Sequence, residues 1–209
     1  MLNNKKTFEE KLMPSLRAID PDVPLPERLP VFLWEKMEPD PFCKNVTELE
    51  KEGEIPANAY FVVKGFVLVC GYNSKLDRYI MRIYGENKIV AMNCFMRQKK
   101  SKYTIIGCKG TLVWRISSAH MQEIYKEMEG MLDMAWKTAG YYNDDMEEMK
   151  NDLLSHPMQE RVLRFYSCFV GLLPSKKSPI RDAAIADYLQ MSVAWLKRIR
   201  KKLSDDGLL

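Results

Sequence analysis

The pattern of hydrophobic and polar positions changes period along the chain. Between about residues 45 and 116, short runs rich in β-branched and aromatic residues alternate with glycines and polar turns. Turn residues at intervals of roughly 8–12 residues predict an antiparallel sandwich or barrel rather than βαβ units. The predicted strands are Tyr60–Val63, Phe66–Cys70, Tyr79–Tyr84, Tyr103–Ile106 and Thr111–Ile116.

The period then becomes helical. Ser117 or Ser118 is expected to cap a helix, because serine accepts hydrogen bonds from the free N–H groups of a first turn. Over Met131–Leu154, apolar or small residues recur at 131, 135, 138, 142, 149 and 153. Steps of three and four predict a long helix with a coiled-coil seam, in which Asp145 stands where an apolar residue is expected.

Proline marks the segments at either end. Seven of the eleven prolines fall within the first 41 residues, which predicts short helical pieces, with Phe32–Met37 as the best helical turn. Ser155–Pro157 is expected to begin another helix, with Pro157 in its first turn. Two further helices are predicted over Ile180–Leu189 and Ser192–Leu203.

These last two helices form a helix-turn-helix pattern with one basic face. Gln190-Met191 is the turn, Ser192 caps the second helix, and no acidic residue lies between 193 and 203. A helix in the major groove needs basic side chains for the phosphates and an N-terminal turn presented to base edges. Arg200 is placed on the same outward face, and the alternative is a solvated basic helix. The predicted DNA-binding residues are Arg181, Ser192, Ala194, Trp195, Lys197, Arg198, Lys201 and Lys202.

Charge adds to this interpretation through its distribution. The chain of 209 residues has a formal net charge of only +4. Residues 156–209 carry ten basic and five acidic side chains, whereas residues 121–155 carry three and nine. A basic C-terminal segment is consistent with a DNA-binding end.

Composition indicates a globular cytoplasmic protein. Hydrophobic residues make up 46% of the chain and charged residues 29%, which suffices for a core. No run approaches the ~18–20 apolar residues that span a bilayer, and the N-terminus lacks the apolar segment of an export signal. Five scattered cysteines without a C-x-x-C pair indicate reduced thiols and exclude a metal site built on closely spaced cysteines.

Three segments resemble a known family. Tyr60-Phe-Val-Val-Lys-Gly65, and Ile185-Ala-Asp-Tyr-Leu189 with Leu196-Lys-Arg-Ile-Arg-Lys-Lys-Leu203, resemble the CRP/FNR superfamily of bacterial transcription regulators, in particular the branch common in Bacteroidetes. The resemblance implies an α+β fold. Its parts are an N-terminal antiparallel jelly roll like a cyclic-nucleotide-binding domain (1–130), a dimerisation helix (131–154) and a helix-turn-helix domain (155–209). On this basis the dimer seam is Met131, Ala135, Thr138, Tyr142 and Met149.

The ligand positions depart from the family pattern. Cyclic-nucleotide binders hold the ribose with Gly-Glu and the phosphate with Arg-Ser, whereas Ile89–Phe95 and Lys99–Tyr103 stand here. Lysine attracts a phosphate only as a point charge. We therefore expect no binding of cyclic AMP, no identified cofactor and no metal, but an unknown small-molecule effector. The expected pocket residues are Val90, Ala91, Lys100, Ser101 and Lys102.

The recognition helix departs as well. Ala194 can contact a thymine methyl but cannot accept a hydrogen bond from cytosine. Packing of Trp195 against the preceding helix is preferred over base contact. The family continues into a β-hairpin wing, which we expect to be lacking because only two leucines follow Gly207.

The predicted function is a dimeric, sequence-specific DNA-binding transcription regulator of the CRP/FNR type, with RNA polymerase as a further partner. An enzyme is not expected, because no Ser-His-Asp order, P-loop or G-x-G-x-x-G appears. One alternative is a jelly-roll module that binds a small molecule or a protein and carries a degenerate helix-turn-helix. A cupin-like metalloenzyme would need a histidine cluster, and the chain has two histidines.

Overall fold

The N-terminal segment forms short helices, as its prolines predict. The computed structural model describes residues 5–40, 45–72, 78–174 and 177–209. Pro14 and Pro30 lie in the first turns of two of the N-terminal helices, where the missing N–H has no intrahelical partner to lose. The helices are α1 (Lys5–Thr7), α2 (Met13–Arg17) and α3 (Leu29–Lys36), and a π-helical turn (Phe8–Leu12) joins the first two.

Two antiparallel sheets, each four-stranded within the described residues, pack as a jelly roll. Sheet A has the order β1-β8-β3-β6, and sheet B has the order β2-β7-β4-β5. All the predicted strands are present, whereas β1, β2 and β6 were not predicted. The bounds are β1 (Glu38–Asp40), β2 (Thr47–Glu50), β3 (Asn58–Lys64), β4 (Val67–Tyr72), β5 (Arg78–Tyr84), β6 (Ile89–Val90), β7 (Thr104–Gly107) and β8 (Leu112–Ser117).

The turn between β3 and β4 requires glycine. Gly65 has a φ of +84°, a conformation that side chains with a Cβ rarely adopt. A Cβ at this position would also lie 2.9 Å from the Cα of Thr111. The Thr111 hydroxyl donates to the carbonyl of Phe66 at 2.8 Å, so this close approach fixes the start of β4.

Both faces of the central strands are buried, which explains their unbroken apolar runs. In β4, Val67 and Val69 pack in the core that contains the jelly-roll interior, whereas Leu68 and Cys70 pack against the C-terminal helices. In sheet A, Phe61 stacks on Trp114 with ring centroids 6.0 Å apart. The N-terminal helices cover this outer face of sheet A.

The remaining helices follow the predicted order. The Ser117 hydroxyl accepts a hydrogen bond from the backbone N–H of His120 at 3.2 Å, which confirms the predicted cap of α5. Pro157 is the N-cap of α7 rather than a residue of its first turn. The bounds are α4 (Asn93–Met96), α5 (Ser118–Glu127), α6 (Met131–Ser155), α7 (Met158–Cys168), α8 (Asp182–Tyr188) and α9 (Val193–Asp205), with a 3₁₀ turn at Val170–Leu172. Among the described helices, none is long and apolar enough to cross a membrane.

Candidate nucleic-acid interface

The turn between α8 and α9 is built from backbone hydrogen bonds. Gln190 has a φ of 53°, and its N–H donates to the carbonyl of Asp187 at 3.0 Å. The N–H of Met191 donates to the carbonyl of Ala186 at 2.9 Å. This pair of bonds is a Schellman motif, which ends α8 and redirects the chain.

The next helix begins at the predicted cap. The Ser192 hydroxyl accepts a hydrogen bond from the N–H of Trp195 at 3.2 Å. On the inner side, Leu196, Ile199 and Leu203 are buried and share one apolar cluster with α7 and α8. The spacing of three and four therefore anchors α9 and leaves its other side exposed.

The predicted DNA-binding residues all lie on the exposed surface of this helix pair. Arg181 stands at the N-cap of α8, and the others lie at the start or along the outer side of α9. The Nζ of Lys202 is 3.3 Å from the Oε1 of Gln159 on α7. The exposed set is Arg181, Ser192, Ala194, Trp195, Lys197, Arg198, Lys201 and Lys202.

Trp195 lies partly exposed in the first turn of α9. Its side chain is 47% exposed, and the guanidinium carbon of Arg198 lies 5.2 Å from its ring centroid. This is a cation–π pair on the outward surface. The exposed part of the indole is available to a partner of α9, and the expected packing of Trp195 against the preceding helix stays a prediction.

Arg200 points inward, so its predicted place on the outer face is wrong. Its guanidinium donates to both carboxylate oxygens of Asp182, at 2.8 and 2.9 Å, and to the hydroxyl of Tyr166 at 3.0 Å. The arginine side chain is only 17% exposed. The hydrogen bond from Arg200 lowers the pKa of Asp182, and the same contact raises the pKa of Arg200. Arg200 thus holds α9 against α7 and α8.

Arg161 is a second anchoring residue, which sequence reasoning missed. Its guanidinium donates to the carbonyls of Leu189 at 2.8 Å, Leu154 at 2.9 Å and His156 at 3.0 Å. These carbonyls belong to the ends of α6 and α8, where a cation also interacts favourably with the helix dipoles. No sequence signal marks this role, because all three acceptors are backbone atoms.

The expected ligand residues in the sensor domain do not form one charged pocket. Lys100 and Lys102 are exposed, and Val90 is buried in β6. The Ser101 hydroxyl donates to the carbonyl of Tyr103 at 2.7 Å and accepts from its N–H at 3.0 Å. Of the expected set, Ala91 alone lines the apolar cavity on the outer face of sheet A.

The helix predicted for dimerisation is present, but the predicted seam faces the chain's own jelly roll and N-terminal helices. Four of the seam residues are buried against them, and Met149 is partly buried between the two apolar clusters. Asp145 interrupts the seam because it pairs at 2.9 Å with Lys88, which lies just before β6 of the jelly roll. The predicted seam residues therefore make contacts within the chain rather than with a partner. They are Met131, Ala135, Thr138, Tyr142 and Met149.

The outer side of α6 carries other apolar residues. Leu132 is 49% exposed and Trp136 is 36% exposed, one helical turn apart. Gly140 continues the same line, and a Cβ placed there would meet no atom within 4 Å. We call Leu132, Trp136 and Gly140 the outer stripe. Exposed apolar residues at this spacing are typical of an interaction face.

Within the part of the chain that the structure describes, no group of three His, Cys, Asp or Glu side chains could hold a metal ion. No protein-family model matches the chain, and no curated protein matches it. Solved structures do match it.

Three of the matching structures come from bacteria, and two of these are described as regulators. A putative cAMP-binding regulatory protein from Silicibacter pomeroyi has a TM-score of 0.66 and 14% identity, over 96% of this chain and 87% of that chain. A putative transcriptional regulator of the CRP/FNR family from Eubacterium rectale has a TM-score of 0.64 and 14% identity, over 88% and 85%. FixK2 from Bradyrhizobium japonicum has a TM-score of 0.64 and 16% identity, over 82% and 86%.

The architecture consists of a jelly roll, a long helix and a C-terminal helix-turn-helix. More specifically, the chain has the fold of the CRP/FNR regulators. The structural matches confirm the predicted resemblance at the level of fold. Sequence identities of 14–16% show the fold alone. The assignment to the branch common in Bacteroidetes stays a prediction.

Proposed function

We propose that this chain is a cytoplasmic, dimeric transcription regulator of the CRP/FNR type that binds specific DNA sequences through α9. The proposed division is a sensor domain (1–130), a dimerisation helix (131–154) and a DNA-binding domain (155–209), with RNA polymerase as a further partner and no enzymatic role. The observation that carries the proposal is the surface of α9. It begins at the Ser192 cap, is anchored by buried leucine and isoleucine, and turns its basic side chains outward.

The geometry of α9 supports insertion into the major groove. Lys197, Arg198 and Lys201 lie at spacings of one, three and four residues, so their charges follow one side of the helix. They would neutralise phosphates, whereas Ala194 and Trp195 at the first turn are placed to meet base edges. A two-fold dimer would then recognise half-sites about 34 Å apart.

Binding to DNA can be tested without knowledge of the operator. The full chain is used to select duplexes from a random-sequence library, and binding to the selected duplex is measured by fluorescence anisotropy from low to physiological salt. We expect affinity to fall with salt. The double variant Lys197→Ala/Arg198→Ala removes four charges from the proposed dimer. It should lose at least about tenfold in affinity and reduce the salt slope by about 3–4.

The matched control removes two positive charges far from α9. Lys5→Ala/Lys6→Ala changes two exposed side chains of α1 and should leave binding unchanged. If no duplex is enriched, or if both double variants bind like the parent, the proposal fails. The remaining candidate is then a jelly-roll module with a degenerate helix-turn-helix.

We propose that the second copy binds at the outer stripe rather than at the predicted seam. Leu132→Glu introduces a charge into an exposed apolar position and should convert a dimer into a monomer in light scattering. Val31→Glu is the control, because Val31 is also exposed, on α3. A dimer that survives Leu132→Glu, or a parent chain that is already monomeric, would contradict this interface.

We also propose that cyclic AMP is not the effector. Two observations support this. Lys100 and Lys102 are exposed to solvent, and the Ser101 hydroxyl is hydrogen-bonded to the backbone of Tyr103, so these residues do not form a phosphate-binding site. Isothermal titration of the full chain with cyclic AMP should give no saturable heat. Saturable binding at micromolar concentration would refute this part of the proposal.

A further inference from the structure

A cavity lies outside the jelly roll, on the outer face of sheet A. The hydroxyl of Tyr60 reaches Glu50 of sheet B at 2.7 Å, so the neighbouring Phe61 points the other way, away from the sandwich interior. The cavity lies between this face, the N-terminal helices, α4, α5 and α6, is partly open to solvent, and has a volume of about 80 Å³. It is therefore separate from the space between the two sheets.

The lining offers nothing to a charged or polar ligand. No charged side chain contributes to it among the described residues. Its two hydroxyl-bearing residues are already satisfied, because Tyr60 donates to Glu50 and Thr138 donates to the carbonyl of Met134 at 2.7 Å. Since burial of an unpaired polar group is unfavourable, the lining selects for an uncharged, apolar occupant.

The volume of the cavity and the flexibility of its lining determine which class of molecule can bind. An apolar cavity of about 150 Å³ stays dry and accepts benzene, and the cavity here is about half as large. Five methionines line it, and their flexible thioether chains can repack around a guest. They are Met37, Met96, Met121, Met131 and Met134.

An empty cavity destabilises a fold, because the atoms around it lack partners. Here the cavity is bounded by strands of sheet A, by the π-helical turn and by helices α2 to α6, and α6 leads directly into the proposed DNA-binding domain. A molecule bound there would contact the sensor domain and this helix together.

We propose that this cavity is a binding site for a small, uncharged, apolar molecule of up to about the size of benzene. Binding at this site does not depend on whether α9 binds DNA.

The test uses the full chain with xenon and benzene as probes. Crystals pressurised with xenon should show a xenon atom in the cavity. Ligand-observed NMR should show saturable binding of benzene. Pyrimidine, a ring of the same size with two nitrogen acceptors, should bind at least tenfold more weakly, because the cavity cannot satisfy them.

Substitutions locate the binding. Ala135→Leu fills the cavity from α6 and should weaken benzene binding at least tenfold. Ala91→Val fills it from the opposite side and should weaken binding at least threefold, which keeps the test decisive if the first variant does not fold. Thr138→Val retains the volume and removes the hydroxyl, so binding should change by less than twofold.

The matched control is Ala119→Leu, an exposed alanine of α5 outside the cavity, and it should bind benzene like the parent chain. Absence of saturable benzene binding and of xenon density would show a packing void only and overturn the proposal. Unchanged binding in both Ala135→Leu and Ala91→Val would place the probe elsewhere, and preference for pyrimidine would show a polar site. Either result would also overturn it. These readouts measure occupancy directly, so their failure is distinguishable from a failure of DNA binding.

Discussion

At the scale of single residues, Gln190 has a left-handed backbone conformation that glycine would adopt at a lower free-energy cost. The residue closes α8 in the left-handed conformation, with φ 53°, and its side chain is exposed. This conformation costs residues other than glycine about 1–2 kcal/mol. Glycine and asparagine are the usual residues at this position of a Schellman motif.

Gln190→Gly should therefore raise the free energy of unfolding by about 0.5–1 kcal/mol. This figure includes the opposing effect that glycine increases the conformational entropy of the unfolded chain. Urea denaturation followed by circular dichroism measures the change. The same substitution in the middle of a helix, Gln122→Gly in α5, should instead lower stability by about 1 kcal/mol. A loss of stability at position 190 would show that the glutamine side chain makes a contribution its exposure does not indicate.

Arg161, in contrast to Gln190, is expected to stabilise the fold. Its guanidinium donates to three backbone carbonyls that come together only in the folded chain. Arg161→Met keeps much of the volume but leaves the carbonyls at the ends of α6 and α8 without their charged donor. We expect a loss of about 1.5–3 kcal/mol in chemical denaturation, the range for hydrogen bonds to charged groups.

Arg164→Met is the matched comparison for this prediction. Arg164 lies one turn later on α7, is exposed, and pairs with Glu160 at 2.9 Å. Exposed ion pairs contribute about 0–1 kcal/mol. Equal effects of the two substitutions would contradict the assigned role of Arg161.

At the scale of elements, the contact between α8 and α9 should depend on pH. Asp182 has a lowered pKa because Arg200 donates hydrogen bonds to its carboxylate. A carboxyl group whose pKa is lower in the folded state stabilises the fold above its unfolded pKa, and this contribution is lost as pH falls through the folded pKa. The contribution should therefore disappear in the acid range below the ordinary aspartate pKa of 3.8.

Asp182→Asn tests this assignment. The variant should be less stable than the parent at neutral pH, and the difference should shrink as pH is lowered through the acid range. Thermal melts across that range, with Asp133→Asn as an exposed control, give the comparison. A difference that stays constant with pH would show that the charge of Asp182 does not stabilise the contact.

The same scale shows what the sequence could predict. The five predicted strands and the caps at Ser117 and Ser192 depend on local signals, so the pattern predicted them. Strands β1 and β2 are acidic and form only because they pair with β8 and β7, which lie far along the chain. Glu50 of β2 is even buried, where it accepts hydrogen bonds from Asn58 and from Tyr60.

The candidate site divides in the same way. The outward residues of α9 follow from helical spacing, whereas the inward turn of Arg200 depends on Asp182 and Tyr166, 18 and 34 residues away. The face of α6 could not be predicted either. Its apolar spacing suits a second helix and a β-sheet equally well, and the β domain of the same chain occupies it.

At the scale of the whole molecule, sheet B of the jelly roll and the C-terminal helices share one apolar cluster. Leu68 and Ile83 of sheet B belong to the same cluster as Phe165 and Tyr188 of the C-terminal helices. Lys150 of α6 crosses this junction, with its Nζ 4.7 Å from the ring centroid of Tyr188, and burial lowers its pKa. The two domains are therefore expected to unfold as one cooperative unit.

The burial of both faces of β4 has a consequence for thiol chemistry. Cys70 lies beneath the C-terminal helices, as does Cys108, and burial raises the pKa of Cys70 to about 11. A thiol reagent needs an accessible thiolate, so these two cysteines can react only when the helices lift from sheet B. Cys168 is exposed, so mass spectrometry should find it alkylated well before Cys70 and Cys108. Comparable alkylation rates of Cys70 and Cys168 would contradict a contact that keeps the C-terminal helices on sheet B. If Cys70 reacts much more slowly, its alkylation rate measures how often these helices separate from sheet B.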